Sequence, residues 1–175
     1  MVKLIPVTRE DELNADVREM YESAFPEDER RDWVQLSSLI TNPAYRFNLI
    51  FHEQILIGLI SIWNFDEFIF IEHFTIRTLE RGKGYGTEVI KQIISMEIPV
   101  VLEVEEPLSE MAIKRIRFYE NLHFSASNME YFQPPYSNGK KKIKMLLMSY
   151  PGELLPANFE LTKKLIHQLV YKFQE

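Results

Sequence analysis

Apolar positions along this chain switch between two periods, and the order of the switches predicts a fold. Residues 4–8, LIPVT, read as an opening strand. Leu13, Val17, Met20, Tyr21 and Ala24 then recur every three or four residues and stop at Phe25-Pro26, the pattern of an amphipathic helix. After the charged run PEDERRD, a second short helix is expected over WVQLSSLIT, closed by Asn42-Pro43 because the residue before a proline disfavours helical geometry. Extended segments at 46–52 and 55–63 are separated only by Glu53 and Gln54, which predicts a tight antiparallel hairpin without the usual Asn-Gly turn. A strand over 69–76 is rich in β-branched and aromatic residues. Val89, Ile90, Ile93 and Ile94 mark a helix, 98–106 a strand, and SEMAIKRIRFYENL another helix. SNMEYFQ and KIKMLLMSY read as two strands joined by a Pro-, Ser- and Gly-rich loop at 134–139. Residues 157–173 predict a last helix, with Leu165, Ile166, Leu169, Val170 and Phe173 on one stripe facing the core or a second copy of the chain.

This order specifies an α/β fold with a mixed sheet, because strand 69–76, its helix and strand 98–105 make a βαβ unit while the hairpins add antiparallel strands. With 175 residues, 46% of them apolar, the chain suits one domain over 1–150 and a C-terminal helical extension over 151–175. A net charge of −6 argues against a nucleic-acid partner. The absence of cysteine removes disulfides, thiolate metal sites and a cysteine nucleophile, so acyl transfer would run directly or through another group; no metal is expected. The most apolar run, ILIGLISIW, is about half the roughly 20 residues a membrane span needs, and the N-terminus lacks an apolar leader, so no membrane partner and a cytoplasmic location are expected. The GKKKIK run at 139–144 reads as a soluble strand edge.

The stretch TIRTLERGKGYGTEVIKQII places Gly82, Gly84 and Gly86 between a strand and a helix. Main-chain N–H groups at a helix N-terminus suit a phosphate, although a glycine turn needing positive φ would look the same. The Walker pattern fails because Lys83 is followed by Gly84, and GxGxxG fails because its last position falls on Thr87 or Val89. Arg-x-x-Gly-x-Gly at 81–86, with FYENLHF at 118–124 and the element order over about residues 3–150, resembles the GNAT superfamily of N-acetyltransferases. The resemblance implies acetyl-coenzyme A as cosubstrate, its pyrophosphate on the amides of Arg81, Gly82, Lys83, Gly84, Tyr85, Gly86 and Thr87. It also implies main-chain contacts from Phe74, Thr75 and Ile76 to the pantetheine arm and the thioester carbonyl. Lys83 and Arg115 are the helix and loop cations expected to reach the phosphates. His123 stands where the family usually has glycine, and Ala112 where many members carry a coenzyme-contacting Asn.

Direct transfer to an amine needs a base, since an alkyl ammonium has a pKa near 10.4. Strand alternation puts Phe70, Glu72, Phe74 and Ile76 on one face; the resemblance makes Glu72, nine residues before Arg81 where family members that use a base on this strand can carry one, the leading base candidate, and its other reading is a buried carboxylate paired with Arg or Lys. Glu103 and Glu105 are the alternates, and His73 reads as a packed histidine. Tyr119 matches the family's usual general acid. Trp63, Asn64, Phe65 and the YFQPPY segment are candidates to wall an acceptor pocket for a small-molecule or peptide amine. The competing function is a non-catalytic acyl-coenzyme A sensor, and a homodimer is a further expectation.

Overall fold

A computed structural model of the chain describes residues 1–173. One sheet runs in the order β1 (Val2–Pro6), β2 (Tyr45–His52), β3 (Ile55–Asn64), β4 (Ile69–Ile76), β5 (Val100–Glu105), β8 (Ile143–Tyr150) and β6 (Ser125–Ala126), with β7 (Tyr131–Gln133) also on β8. Among the described residues β4 and β5 pair in parallel and the other strand pairs are antiparallel. The helices are α1 (Ala15–Ala24), α2 (Trp33–Ser38), α3 (Tyr85–Ile94), α4 (Glu110–Glu120) and α5 (Leu154–Leu165). None is long and apolar enough to cross a membrane.

Helices cover both faces of the sheet, so the core has two halves. On one face α1, α2 and the C-terminal segment set Val17, Tyr21, Leu36, Phe159, Ile166 and Val170 against Phe47, Leu59, Trp63 and Phe70. On the other, α3 and α4 set Val89, Ile90, Ile93 and Ile116 against Ile60, Ile69, Ile71, Val100 and Leu102. Strands buried on both sides read as nearly continuous apolar runs, which is why β3 and β5 lack clean alternation.

Several boundaries differ from the sequence expectation for local reasons. The opening strand begins at Val2, and α2 ends at Ser38 rather than running on to Asn42. The segment expected as one strand over 127–133 is a strand only at its end, as β7, while β6 lies just before it. Glu53 and Gln54 both take positive φ, at 47° and 69°, to make the hairpin turn that Asn-Gly makes more readily. Most of the GKKKIK run precedes β8, of which it supplies only Ile143 and Lys144, paired with β7; Lys140 Nζ donates to the Arg30 carbonyl at 2.7 Å and lies 2.8 Å from Asp32 Oδ1. α5 starts at Leu154, is irregular at Asn158 and continues as a wider turn over Ile166–Val170. Its stripe packs inward at Ile166 and Val170 and is exposed at Leu169.

The end of α4 positions Tyr119. The Phe124 N–H donates to the Tyr119 carbonyl at 3.1 Å and the His123 N–H to the Glu120 carbonyl at 2.9 Å, the paired bonds of a Schellman cap, and the Phe124 ring sits 5.5 Å from that of Tyr119. His123 occupies the position that favours glycine and takes φ of 67°. The turn therefore does not avoid positive φ, and the histidine bears the strain. His123→Gly is expected to raise stability by about 1 kcal/mol, read as a higher urea midpoint at unchanged m-value.

Candidate active site

The site begins where two strands part. β4 and β5 are paired only between Ile69–Ile71 and Val100–Leu102, although β4 continues to Ile76 and β5 to Glu105. Beyond Ile71 the β4 main chain has no strand on its β5 side, and unpaired N–H and C=O groups there call for another partner. The gap is a cleft of about 770 Å³ lined by residues 71–76 of β4, Leu102, Glu103 and Glu105 of β5, the start of α3, and Met111, Lys114, Arg115, Phe118 and Tyr119 of α4.

A β-bulge accompanies the parting. Ser61 opposes His73 and Ile62 opposes Ile71, which leaves Glu72 as an extra residue on β4. The alternation expected through this strand is therefore broken at Glu72. Phe70 belongs to the first core half, whereas Phe74 and Ile76 turn to the second. His73 packs beside Tyr21 and Phe25 on the Glu72 side.

At the cleft's far end Gly82 and Gly84 take φ of 77° and 85°, and Gly84 caps α3 in left-handed geometry. The first helical hydrogen bond runs from the Glu88 N–H to the Gly84 carbonyl, so the N–H groups of Tyr85, Gly86 and Thr87 precede it and are left over for a ligand. The helix dipole adds positive potential at that point. Arg81 holds the loop to the strand, its Nε donating to the Ile76 carbonyl at 2.9 Å. Gly82, Gly84, Tyr85, Gly86, Thr87, Arg81 and Arg115 all line the cleft, but Lys83 does not: its Nζ lies 2.9 Å from Glu80 Oε2. Arg115 is paired with Glu105.

Glu72 holds the structure together rather than facing a substrate. Its side chain has no solvent exposure, and what it presents to the cleft is main chain. Oε1 accepts from Arg31 Nε at 2.8 Å and lies 2.8 Å from Arg31 Nη2, and Oε2 accepts from Trp63 Nε1 at 2.9 Å. Burial raises its pKa, but Arg31, His73 and Trp63 outweigh that and leave the carboxyl below the usual range. A carboxylate with no solvent exposure, ion-paired to Arg31 and only weakly basic, is a poor proton acceptor, which moves the base role away from Glu72. Arg31 is itself buried; its Nη2 also donates to the Val170 carbonyl at 2.8 Å, and its guanidinium lies 4.9 Å from the Tyr136 ring centre. Nothing in PEDERRD distinguishes this arginine from its solvated neighbours.

Glu103 has the opposite character. It lines the cleft, and burial raises its pKa to about 7 against the lowering effect of the Tyr131 and Tyr171 hydroxyls, both of which donate to it. Tyr119 also lines the cleft, and burial pushes its phenol up, so it stays protonated at neutral pH. Burial holds His73 near a pKa of about 4; the neutral ring lies 3.3 Å from Ser61 Oγ and 3.2 Å from the Glu29 carbonyl. The cleft is also lined by Ala24, Phe25, Glu29 and Gln133, while Trp63, Asn64 and Phe65 stay out of it. Ala112 is buried in α4 and does not reach the cleft. Among the described residues no group of three or more His, Asp or Glu side chains is arranged for a metal ion.

The chain resembles known proteins in sequence and in fold. The sequence model of the acetyltransferase (GNAT) family matches residues 11–124, and the chain belongs to that family. A solved GNAT-family structure from Bacteroides thetaiotaomicron superposes with a TM-score of 0.90 at 31% identity, covering 98% of this chain and 99% of that one. YjbC of Bacillus subtilis (strain 168), assigned as an acetyltransferase, is 38% identical over 63 residues, 34% of this chain; those residues span 32% of its own length. A GNAT family acetyltransferase from Elizabethkingia anophelis with acetyl-CoA bound has the same fold, with a TM-score of 0.58 at 13% identity over 85% of this chain and 96% of its own.

Replacing Arg31 alone strands the Glu72 charge in the core. Arg31→Met is expected to cost about 3–5 kcal/mol in urea denaturation, and Arg31→Met with Glu72→Leu to recover more than half of that.

Proposed function

We propose that this protein transfers an acetyl group from acetyl-coenzyme A to a primary amine by direct attack, with Glu103 as base and Tyr119 as acid. The observation that carries the proposal is the cleft itself: one continuous opening joins the free N–H groups at the start of α3 to a titratable carboxylate on β5 and a protonated phenol on α4. The residues present fit the coenzyme. The glycine loop offers N–H donors without side chains in the way, and the β4 edge at Phe74, Thr75 and Ile76 is open to an extended arm. Acetyl-coenzyme A, when bound, supplies the acetyl thioester.

Each side chain then has a limited task. Glu103, with a pKa of about 7, is half ionised near neutral pH and strong enough a base to take a proton from the amine nitrogen directly or through one water. Tyr119 holds a proton at Oη that it donates where negative charge develops. Main-chain N–H groups of β4 beyond Ile71 would orient the carbonyl. Glu29, whose pKa is raised by burial and then by Glu105, adds negative potential at the acceptor end and suits a substrate that arrives as an ammonium. Glu103 and Tyr119 on the cleft wall support catalysis over acyl-coenzyme A sensing.

Calorimetric titration with acetyl-coenzyme A, and NAD as control, is the first test: micromolar binding of the coenzyme alone is expected, and its absence in folded protein would remove the proposal. Gly84→Ala should weaken that binding about tenfold, because a side chain at this φ costs roughly 1–2 kcal/mol or moves the N–H groups. Thiol release over an amine panel, with no cysteine background, then reads turnover. Because the base acts deprotonated, kcat/KM should rise with pH through about 7. Glu103→Gln should abolish that limb and lower turnover about 100-fold; a limb that survives assigns the base elsewhere.

A further inference from the structure

We propose that Tyr171 is a positioning residue for Glu103, making the C-terminal segment a working part of the active site. The assignment of Glu103 as base rests on the reading above. Tyr171 Oη donates to Glu103 Oε2 at 2.6 Å, Tyr131 Oη donates to Oε1, and Tyr136 Oη lies 3.5 Å from Tyr171 Oη. Two tyrosines from distant parts of the chain converge on one carboxylate of the cleft wall, a third stands behind Tyr171, and Tyr131 and Tyr171 both lie beyond residues 11–124 that match the family model.

The arrangement orients the carboxylate without using it up. Each carboxylate oxygen has two acceptor sites, so one donor per oxygen fixes the plane and leaves capacity for a substrate proton. Burial pushes the Tyr171 phenol well up, which keeps it a donor at working pH. Tyr171 is also held in place from the other arm of the cleft. The Val170 carbonyl beside it accepts from Arg31 Nη2, and Arg31 pairs with Glu72 on β4. Hydrogen bonds at Val170 and Tyr171, joined by the main chain between them, therefore connect β4 through Arg31 to Glu103 on β5. The other charges felt at Glu103 are Glu72, neutralised by Arg31, and Glu29; both oppose ionisation, while Glu105 on the same strand is paired with Arg115.

Tyr171→Phe keeps the ring and removes the donor. A lost hydrogen bond to a carboxylate raises its pKa, so the acid limb of kcat/KM should move up by roughly one pH unit, with about a tenfold loss at pH 6 and less than about threefold at pH 9. A purely structural role would lower the rate equally at all pH values, and an unmoved midpoint would overturn the proposal. Site-specific 3-fluorotyrosine at 171, a stronger donor of the same shape, should move the midpoint down. The same shifts are expected in ¹³C NMR titration of glutamate-labelled protein, with the Glu103 signal identified by its loss in Glu103→Gln. That readout needs no turnover: if no amine is acetylated, the enzyme reading fails, while an unmoved Glu103 titration would still defeat the role of Tyr171 on its own.

Discussion

The Arg31–Glu72 ion pair is the constraint on which the rest of the site depends. A carboxylate with no solvent exposure is tolerable only beside a cation and with both oxygens hydrogen-bonded, and Arg31 and Trp63 meet those needs. Arg31 comes from the segment after α1, Glu72 from the bulge in β4, and the guanidinium also donates to the Val170 carbonyl. One buried cation thus fixes the N-terminal helices, the central strand and the C-terminus against each other. Because the pair is buried, salt screens it much less than a surface pair, so this anchor is insensitive to ionic strength.

The bulge and the parting of β4 from β5 are two expressions of the same geometry. An extra residue increases local twist and bends the strand, and after it β4 no longer keeps pace with its parallel neighbour. The gap that results sits at the C-terminal ends of both strands, where α3 starts with its free N–H groups. An apolar substitution that straightened β4 would satisfy more of the sheet and leave less of a site.

Much of this was legible in the sequence because it depends on periodicity. The βαβ unit, both long hairpin strands and the glycine-capped helix follow from apolar spacing and from Gly82 and Gly84, and the family likeness follows from residues 81–86 with 118–124. The bulge was not legible, since one inserted residue changes the face of Phe74 and Ile76 without changing composition. It was the family likeness, through the position nine residues before Arg81, that favoured Glu72 over Glu103. Arg31 was hidden in a run of charges whose default reading is a solvated surface, and it was selected by burial alone. Tyr131 and Tyr171 are 40 residues apart on separate elements, and only tertiary packing brings both hydroxyls to one carboxylate.

Glu103 also links proton occupancy to the integrity of the fold. Its folded pKa of about 7 lies above that of an unfolded glutamate, so the native state binds the proton more tightly between about 4.5 and 7. The stabilisation this gives is complete below the unfolded value and is lost as pH rises through 7. Ionisation, which readies the carboxylate to accept a proton, thus draws on the free energy of folding. An ammonium arriving at the cleft returns part of it by restoring a positive neighbour to the charge. The resting protein is least stable in the protonation state that is ready to react, and a cationic substrate relieves that instability.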